Sequence, residues 1–277
     1  MAVKAPTGVQ YGRNYDVDSK IGAIKVLSPD MLAAQLYSLR GRDVAFEDLK
    51  MTNTTFNTAP WTVGKDAGVS APTPAAIAGG GVEITTGTGN GDGLSLLGLA
   101  NYSSNANAGI EVRFKLSAIT ALKASVGFVN ALTTASDIAF TDLDGTPTFQ
   151  AATTEAAIWA FNPADTIVTP RLLTNGVGRT AAGSTVLGPD GAVLPITADT
   201  YLTVRVQLLG STGSVLCATF GATNNLLAVN VIDKIASATV GGVTAATLLA
   251  PYVGFQNTTT TSRVATIQYI RKWMDLY

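Results

Sequence analysis

The stretch YLTVRVQLL, residues 201–209, decides the fold class of this chain of 277 residues. Apolar and polar side chains alternate along it. Successive side chains of a β-strand point to opposite faces of a sheet, so the pattern predicts a strand with one face on a core and the other face outward. The apolar positions are Leu202, Val204, Val206 and Leu208, and the polar positions between them are Thr203, Arg205 and Gln207.

Seven further segments have the composition of β-strands and are separated by turn sequences rich in Gly, Asn and Thr. No amphipathic helical pattern follows residue 50, so the sequence predicts a mainly β fold, an antiparallel two-sheet β-sandwich. The further strand candidates are VEITT (82–86), IEVRFKL (110–116), SVGFVN (125–130), AAIWAF (156–161), VLCATF (215–220), PYVGFQN (251–257) and VATIQYIRKW (264–273).

The first 50 residues differ from the rest of the chain in charge. They hold 7 of the 18 Lys and Arg residues and 6 of the 19 Asp and Glu residues. We therefore predict two units, an N-terminal arm of residues 1–55 and a β-sandwich domain of residues 56–277. The arm is predicted to contain one helix, near residues 29–39, and to anchor the protein to a partner.

The predicted helix lies within SPDMLAAQLYSLRG, residues 28–41. Ser28 is a favoured N-cap residue, Pro29 suits the first helical position, and Gly41 suits the end of the helix. A helix this short is marginal in isolation, so its apolar stripe is expected to contact another surface. The residues predicted to bind a partner are Met31, Leu32, Leu36, Leu39 and Arg40.

Charge is scarce in the chain as a whole. Charged residues make up 13% of it, hydrophobic residues make up 47%, and the net charge is −1. Such a composition predicts that much of the surface lies in a crowded assembly. There is no basic run, so we expect no nucleic-acid or membrane partner. We also see no secretory signal and no apolar segment of about 18 residues, and we therefore expect assembly in a cytosol.

Histidine is absent and Cys217 is the single cysteine. Without histidine the chain cannot build a Ser-His-Asp or Cys-His catalytic site or a His-ligated metal site. One cysteine cannot form an internal disulfide. We expect Cys217 to be a small buried side chain, since no base is available to activate it.

The segment FTDLDGTPT, residues 140–148, resembles the nucleophile motif of haloacid-dehalogenase-type phosphatases. That motif needs a parallel strand before it and a helix after it. Pro147 opposes such a helix and a β-rich sequence follows. The favoured interpretation is therefore an Asp-Gly turn between strands. A calcium ion held by Asp142, Asp144 and Thr146 is an alternative.

Two other site hypotheses come from scattered residues. Glu83, Glu111 and Glu155 offer a carboxylate pair of the kind that glycosidases use, and six aromatic residues offer a surface for sugar stacking. Strand glutamates more often lie on solvated faces, and the aromatics lie in or beside apolar strands, so we favour structural roles. We predict no catalytic residue, no cofactor and no metal site. The aromatic residues are Trp61, Trp159, Tyr201, Tyr252, Tyr269 and Trp273.

The order of motifs over residues 125–277 is distinctive. A Thr-Glu strand with an aromatic residue precedes an Asp-Thr-Tyr strand, a strand that begins with Pro follows, and a strand with Arg, Tyr-Ile and Trp closes the chain. This order resembles the concanavalin/laminin-G-like sandwich domains of tailed-bacteriophage virion proteins. The positions are Thr154-Glu155 with Trp159, Asp199-Thr200-Tyr201, Pro251 to Gln256, and Arg263 with Tyr269, Ile270 and Trp273.

The resemblance implies a structural virion protein, of the type that decorates or cements a capsid. Its expected partners are the major capsid protein and copies of itself, as a dimer or trimer. It is expected on the capsid surface after assembly in the host cytoplasm. The alternative is a carbohydrate-binding adhesin, or a head or tail fibre module, on the same fold.

Overall fold

The computed structural model describes residues 44–50, 61–75, 80–134, 138–143, 146–164, 170–187, 194, 196–232 and 241–275. Within these ranges the chain forms β-strands and one short 3-10 turn at Gly210–Thr212. The strands are β1 (Val44–Lys50), β2 (Thr62–Lys65), β3 (Thr73–Pro74), β4 (Val82–Thr85), β5 (Gly93–Leu97), β6 (Gly109–Leu116), β7 (Leu122–Val129), β8 (Phe140–Asp142), β9 (Thr148–Phe149), β10 (Ala156–Phe161), β11 (Arg171–Asn175), β12 (Ala182–Thr185), β13 (Leu202–Leu209), β14 (Ser214–Phe220), β15 (Leu226–Ile232), β16 (Ala250–Asn257) and β17 (Val264–Asp275).

One antiparallel sheet, sheet A, has the strand order β15-β14-β13-β6-β17-β4-β3 across the described residues, with β1 also paired to β17. The strand β17 carries two neighbours on the side away from β6, since its first half pairs with β4 and its second half with β1. At the start of β1, Val44 lies opposite Asp275. This pairing fixes the end of the sandwich at which the preceding residues join it.

The second antiparallel sheet, sheet B, has the order β12-β11-β10-β7-β16-β5-β2. Edge strands of the two sheets meet on one side of the sandwich. Asn230 of β15 donates hydrogen bonds from Nδ2 to the carbonyl oxygen of Thr185 at 2.7 Å and to Ser184 Oγ at 3.3 Å. These contacts hold the two layers together along that edge.

Aromatic side chains fill the centre of the core between the two sheets. Phe114 of sheet A packs edge to face on Trp159 and on Phe255 of sheet B, with ring centroids 5.7 Å apart in both pairs. All three side chains are buried. Apolar residues at alternate positions of the remaining strands surround them, as period-2 patterning requires.

A second apolar cluster lies on the other face of sheet B. The connection from β7 to β10 folds back over this face and carries the hairpin of β8 and β9. Ile138 and Phe140 of the connection pack against Ile158, Leu173 and Tyr252 of the sheet. The hydroxyl of Tyr252 accepts a hydrogen bond from the backbone amide of Ala139 at 3.0 Å. Sheet B is therefore buried on both faces in this region.

The predicted mainly β, two-sheet antiparallel sandwich is confirmed. All eight segments predicted as strands are strands, at β4, β6, β7, β10, β13, β14, β16 and β17. The predicted helix near residues 29–39 lies outside the described residues. The division of the chain at residue 55 stays a prediction, and β1, which falls within the predicted arm, is a strand of sheet A.

The close approach of β7 and β10 gives the first prediction. Gly127 has φ of +155°, and a Cβ there would overlap the backbone carbonyl group of Ala157. We expect Gly127→Ala to lower the free energy of unfolding by about 3 kcal/mol, since overpacking at a backbone contact cannot be relieved by a rotamer change. Urea denaturation measures this quantity.

Ser125→Ala is the matched control on the same strand and face. The Ser125 hydroxyl is buried and has no hydrogen-bond partner among the described residues, so its removal should change stability by less than about 1 kcal/mol. Equal effects of the two substitutions would contradict the close packing of β7 on β10.

Candidate functional site

Three loops meet at one end of the sandwich, the end where β1 begins. They are residues 98–108 between β5 and β6, residues 175–178 at the end of β11, and residues 241–249 before β16. Backbone hydrogen bonds join the first loop to the third, between Tyr102 and Leu249 in both directions (2.6 and 3.1 Å) and from Asn105 N to Ala245 O (3.0 Å). The first loop also contacts the end of β17, since Asp275 N donates to Ala106 O at 2.7 Å.

A buried carboxylate holds the second loop to the third. Glu155 is 1% exposed, and its Oε1 accepts a hydrogen bond from Val177 N at 3.1 Å while its Oε2 accepts one from Thr244 N at 3.0 Å. Arg179 adds a second link through Nη1, which donates to Val243 O at 2.9 Å. The three loops therefore form one continuous surface.

This surface presents aliphatic side chains to solvent. Leu99 is 71% exposed, Val177 is 66% exposed and Leu248 is 56% exposed. We call the three loops with these side chains the apolar end. Its loop sequences, residues 98–108, 175–178 and 241–249, contain no Asp, Glu, Lys or Arg.

The opposite end of the sandwich has a different composition. Its loops carry Asp66, Asp92, Asp199 and Arg263. Among the described residues, one further exposed large hydrophobic side chain, Leu187 at 38%, lies toward that end, beyond β12. The apolar end therefore exposes more aliphatic surface than the opposite end, and its loops lack the charged residues that the opposite end carries.

A shallow groove of about 550 Å³ lies beside the apolar end. Its walls are the segment that follows β8 and the turn after β11, and Val177 belongs to both the groove and the apolar end. Its polar side chains are Thr148, Gln150, Thr153, Thr154 and Asn175, and Phe149 is its one aromatic side chain among the described residues. The groove is lined by Pro147, Thr148, Phe149, Gln150, Ala151, Thr153, Thr154, Asn175, Gly176, Val177, Gly178 and Ala181.

A cluster of charges lies on the outer face of sheet A. Glu111 and Arg205 are each 1% exposed and form a salt bridge through Arg205 Nε at 2.9 Å and through Nη2. The other oxygen of Glu111 accepts hydrogen bonds from the Tyr269 hydroxyl at 3.0 Å and from Arg271 at 3.4 Å. The Arg205 guanidinium lies 5.4 Å from the Trp273 ring centroid.

Electrostatics in this cluster favour a structural role. Burial, and then the nearby charge of Glu111, raise the pKa of Tyr269 well above its usual range, so the hydroxyl stays protonated and donates to the carboxylate. Arg205 and Arg271 form salt bridges with the Glu111 carboxylate, and this carboxylate is buried, so it is not accessible to a substrate. The cluster therefore orders the outer face of sheet A and does not resemble an acid–base pair.

The structure separates the three glutamates that the sequence offered as a carboxylate pair. Glu111 lies on β6 of sheet A, and Glu155 immediately precedes β10 of sheet B, each with its own hydrogen-bond partners. Glu83 is half-buried on β4. In the part of the chain that the structure describes, none of these three glutamates forms a hydrogen bond with another of them.

The segment FTDLDGTPT runs from β8 to the start of β9, and these two strands form an antiparallel pair. The Asp-Gly turn that was predicted between them stays a prediction. Asp142 is exposed at the end of β8, and Asp144 and Gly145 lie outside the described residues. In the part of the chain that is described, no three His, Cys, Asp or Glu side chains are grouped as metal ligands would be. Across the same residues, no helix has the length and apolar character needed to span a bilayer.

The six aromatic candidates do not form an exposed surface. Trp159 lies in the core between the sheets, Tyr252 lies in the second apolar cluster, and Trp61 and Trp273 are almost fully buried. Tyr201 and Tyr269 are half-buried on the outer face of sheet A. Cys217 is buried, as expected, and burial raises the pKa of its thiol to about 12.

The predicted partner-binding residues Met31, Leu32, Leu36, Leu39 and Arg40 lie outside the described residues. The apolar end was not predicted from the sequence. One signal was available, since Val177 interrupts the turn sequence NGVG and Leu99 follows Gly98. An aliphatic residue in a tight turn is expected to be exposed.

Comparisons with solved structures identify the fold. The structure superposes on SO2946, a protein of unknown function from Shewanella oneidensis MR-1, with a TM-score of 0.50 and 14% identity over 84% of this chain and 86% of that one. For the exoplasmic/lumenal domain of VIP36 with Ca²⁺ and Man3GlcNAc, the TM-score is 0.50, the identity 12% and the coverage 82% and 88%. For lectin UEA-II complexed with galactose, the values are 0.51, 8%, 84% and 99%.

The chain therefore has a lectin-like, concanavalin-like β-sandwich fold. At these identities the likeness concerns the fold alone. No protein-family model matches the chain, and no curated protein sequence matches it.

The hydrogen bonds of Glu155 give the second prediction. Glu155→Ala removes the acceptor of two backbone amides and should lower the free energy of unfolding by about 2 kcal/mol. Amide exchange at residues 176–178 and 244–245 should accelerate at the same time, because these loops lose their link. Glu83→Ala, at a half-buried glutamate, is the control and should cost less than about 0.5 kcal/mol. Unchanged exchange in Glu155→Ala would show that the carboxylate does not hold the loops.

Proposed function

We propose that this chain is a structural virion protein that binds and stabilises a bacteriophage capsid, as a decoration or cement protein. It contacts its protein neighbours through the apolar end and through the predicted N-terminal arm. The observation that carries the proposal is the apolar end itself, with three exposed aliphatic side chains on loops that contain no charged residue. The loops at the opposite end, in contrast, carry the charged residues Asp66, Asp92, Asp199 and Arg263.

Protein–protein contact is the use that suits this surface best. The centres of protein interfaces are depleted in charge and enriched in apolar contact, because a charge that loses its water must find a partner. The loops of the apolar end are held by hydrogen bonds within the chain. Little ordering free energy is therefore lost when a partner binds them.

The viral assignment rests on the sequence resemblance to phage virion proteins. Several residues that carry the resemblance have defined structural roles. Trp159 fills the core, Glu155 holds two loops of the apolar end, and Tyr269 and Trp273 belong to the cluster around Arg205. These roles support a shared architecture, and the low charge content supports a crowded assembly.

The proposed partners are the major capsid protein and further copies of this chain. A copy that contacts capsid subunits and its own neighbours gains affinity from many weak contacts repeated by symmetry. The proposed location is the capsid surface, after assembly in the host cytoplasm. No catalytic activity is proposed.

A carbohydrate-binding role is the second candidate, and the groove beside the apolar end favours it. Thr148, Gln150, Thr154 and Asn175 line this groove with hydroxyl and amide groups, which suit sugar hydroxyls. The UEA-II and VIP36 structures of similar fold contain galactose and Man3GlcNAc. The groove has one aromatic wall, Phe149, among the described residues, so stacking on a sugar ring would be limited.

The third prediction tests the apolar end as a capsid contact. We expect Val177→Glu and Leu248→Glu each to weaken binding to the cognate capsid shells by about tenfold, because a carboxylate must be desolvated in the interface. Leu187→Glu is the control, since it adds the same charge at an exposed leucine away from the apolar end. Binding is measured by co-sedimentation of the full-length protein with shells lacking it, after circular dichroism has verified folding.

Two results would contradict the proposal. Shell binding that is equal in all three variants would exclude the apolar end as the contact. A protein that does not bind shells but binds a glycan array, with binding lost in Asn175→Ala, would favour the carbohydrate-binding role.

A further inference from the structure

The apolar end raises the question of what covers it before the protein meets a partner. Exposed aliphatic side chains on loops without charge promote self-association of a protein in solution. A chain with a net charge of −1 has little electrostatic repulsion to oppose this. A cover for the apolar end would keep the free protein soluble.

The chain enters the sandwich at this end. Val44, the first residue of β1, pairs with Asp275. Asp275 forms two hydrogen bonds with the loop that carries Leu99. Its backbone amide donates to Ala106 O at 2.7 Å, and its Oδ2 accepts from Asn107 Nδ2 at 2.6 Å. Residues 1–43 therefore join the described part of the chain beside the apolar end, and not at the opposite end of the sandwich.

We propose that the predicted helix of residues 29–39 docks on the apolar end of its own chain in the free protein. Its apolar stripe, Met31, Leu32, Leu36 and Leu39, would cover Leu99, Val177 and Leu248. The stripe and the apolar end are complementary because each is aliphatic and each lacks a stable environment alone.

The length of the connection allows this contact. From Leu39 to Val44 the chain spans at most about 17 Å when it is extended, and the predicted helix is about 16 Å long. From Ala106 back to Leu99 the loop can extend over at most about 25 Å. These lengths allow the stripe to contact Leu99 of its own chain, and the short tether favours this contact over one with a second copy in dilute solution.

The inference does not rest on the capsid assignment. Docking would hold the stripe and the apolar end against each other until a protein partner competes for them. The two surfaces proposed to bind a capsid would then become available together. A test on the free protein can succeed or fail whatever the shell-binding result is.

Engineered disulfides in the full-length protein test the docking. Leu36→Cys is combined in turn with Leu99→Cys, Val177→Cys or Leu248→Cys, and each double variant is oxidised mildly at micromolar concentration. Cys217 is buried and its thiol is largely protonated at neutral pH, so it should not take part. The control combines Leu36→Cys with Thr223→Cys, which is exposed in the turn between β14 and β15.

We expect at least one of the three test pairs to lose both engineered thiols in a monomeric product, seen as faster migration on a non-reducing gel, while the control pair keeps its thiols. A linked dimer as the main product would overturn docking within the chain. Equal oxidation of the test and control pairs would also overturn it.

Hydrogen exchange provides a second measurement that needs no disulfide. Leu36→Glu should accelerate amide exchange in residues 98–101 and 175–178 of the free protein, and Gln35→Glu, which places the same charge beside the stripe, should not. Unchanged exchange in both variants would contradict the docking.

Discussion

The contact between the apolar faces of sheets A and B is the interaction on which the rest of the structure depends. Phe114 packs on Trp159 and Phe255 across the layers, and alternate residues of β6, β7, β10, β13 and β16 extend this core. Because a strand has only two faces, burial of one face fixes the direction of the other. The salt bridge of Glu111 and Arg205, the second apolar cluster and the loops at both ends take their positions from that single constraint.

Buried charges explain part of the unusual surface. Glu111, Arg205, Glu155 and Lys272 are almost fully buried, although the chain is poor in charge from the outset. The carboxylates of Glu111 and Glu155 accept hydrogen bonds from within the chain and join separate segments. Fewer charges are therefore left for the surface, and the loops of the apolar end have none.

Strands with period-2 alternation, such as β6 and β13, were predictable from sequence because half-buried strands alternate by necessity. Strand β5 was not predicted, because GLSLL is short and begins within the glycine-rich stretch GTGNGDG. Strand β15 was not predicted, because a bulge opposite Phe220 breaks its period. Strands as short as β8 and β9 carry too few residues for a pattern. The apolar end could not be predicted from the sequence, because it depends on which loops the topology brings together. The role of Glu155 could not be predicted for the same reason, since its hydrogen-bond partners, Val177 N and Thr244 N, are distant in sequence.

The central claim is that this sandwich acts by contact with protein neighbours, through the apolar end and the predicted N-terminal arm. Electron cryomicroscopy of assembled capsids, with and without the protein, tests this claim most directly. The account predicts density for the sandwich on the capsid surface, with Leu99, Val177 and Leu248 turned toward a neighbouring protein subunit. Particles that lack this density, or that bind the sandwich with the apolar end facing solvent, would contradict it.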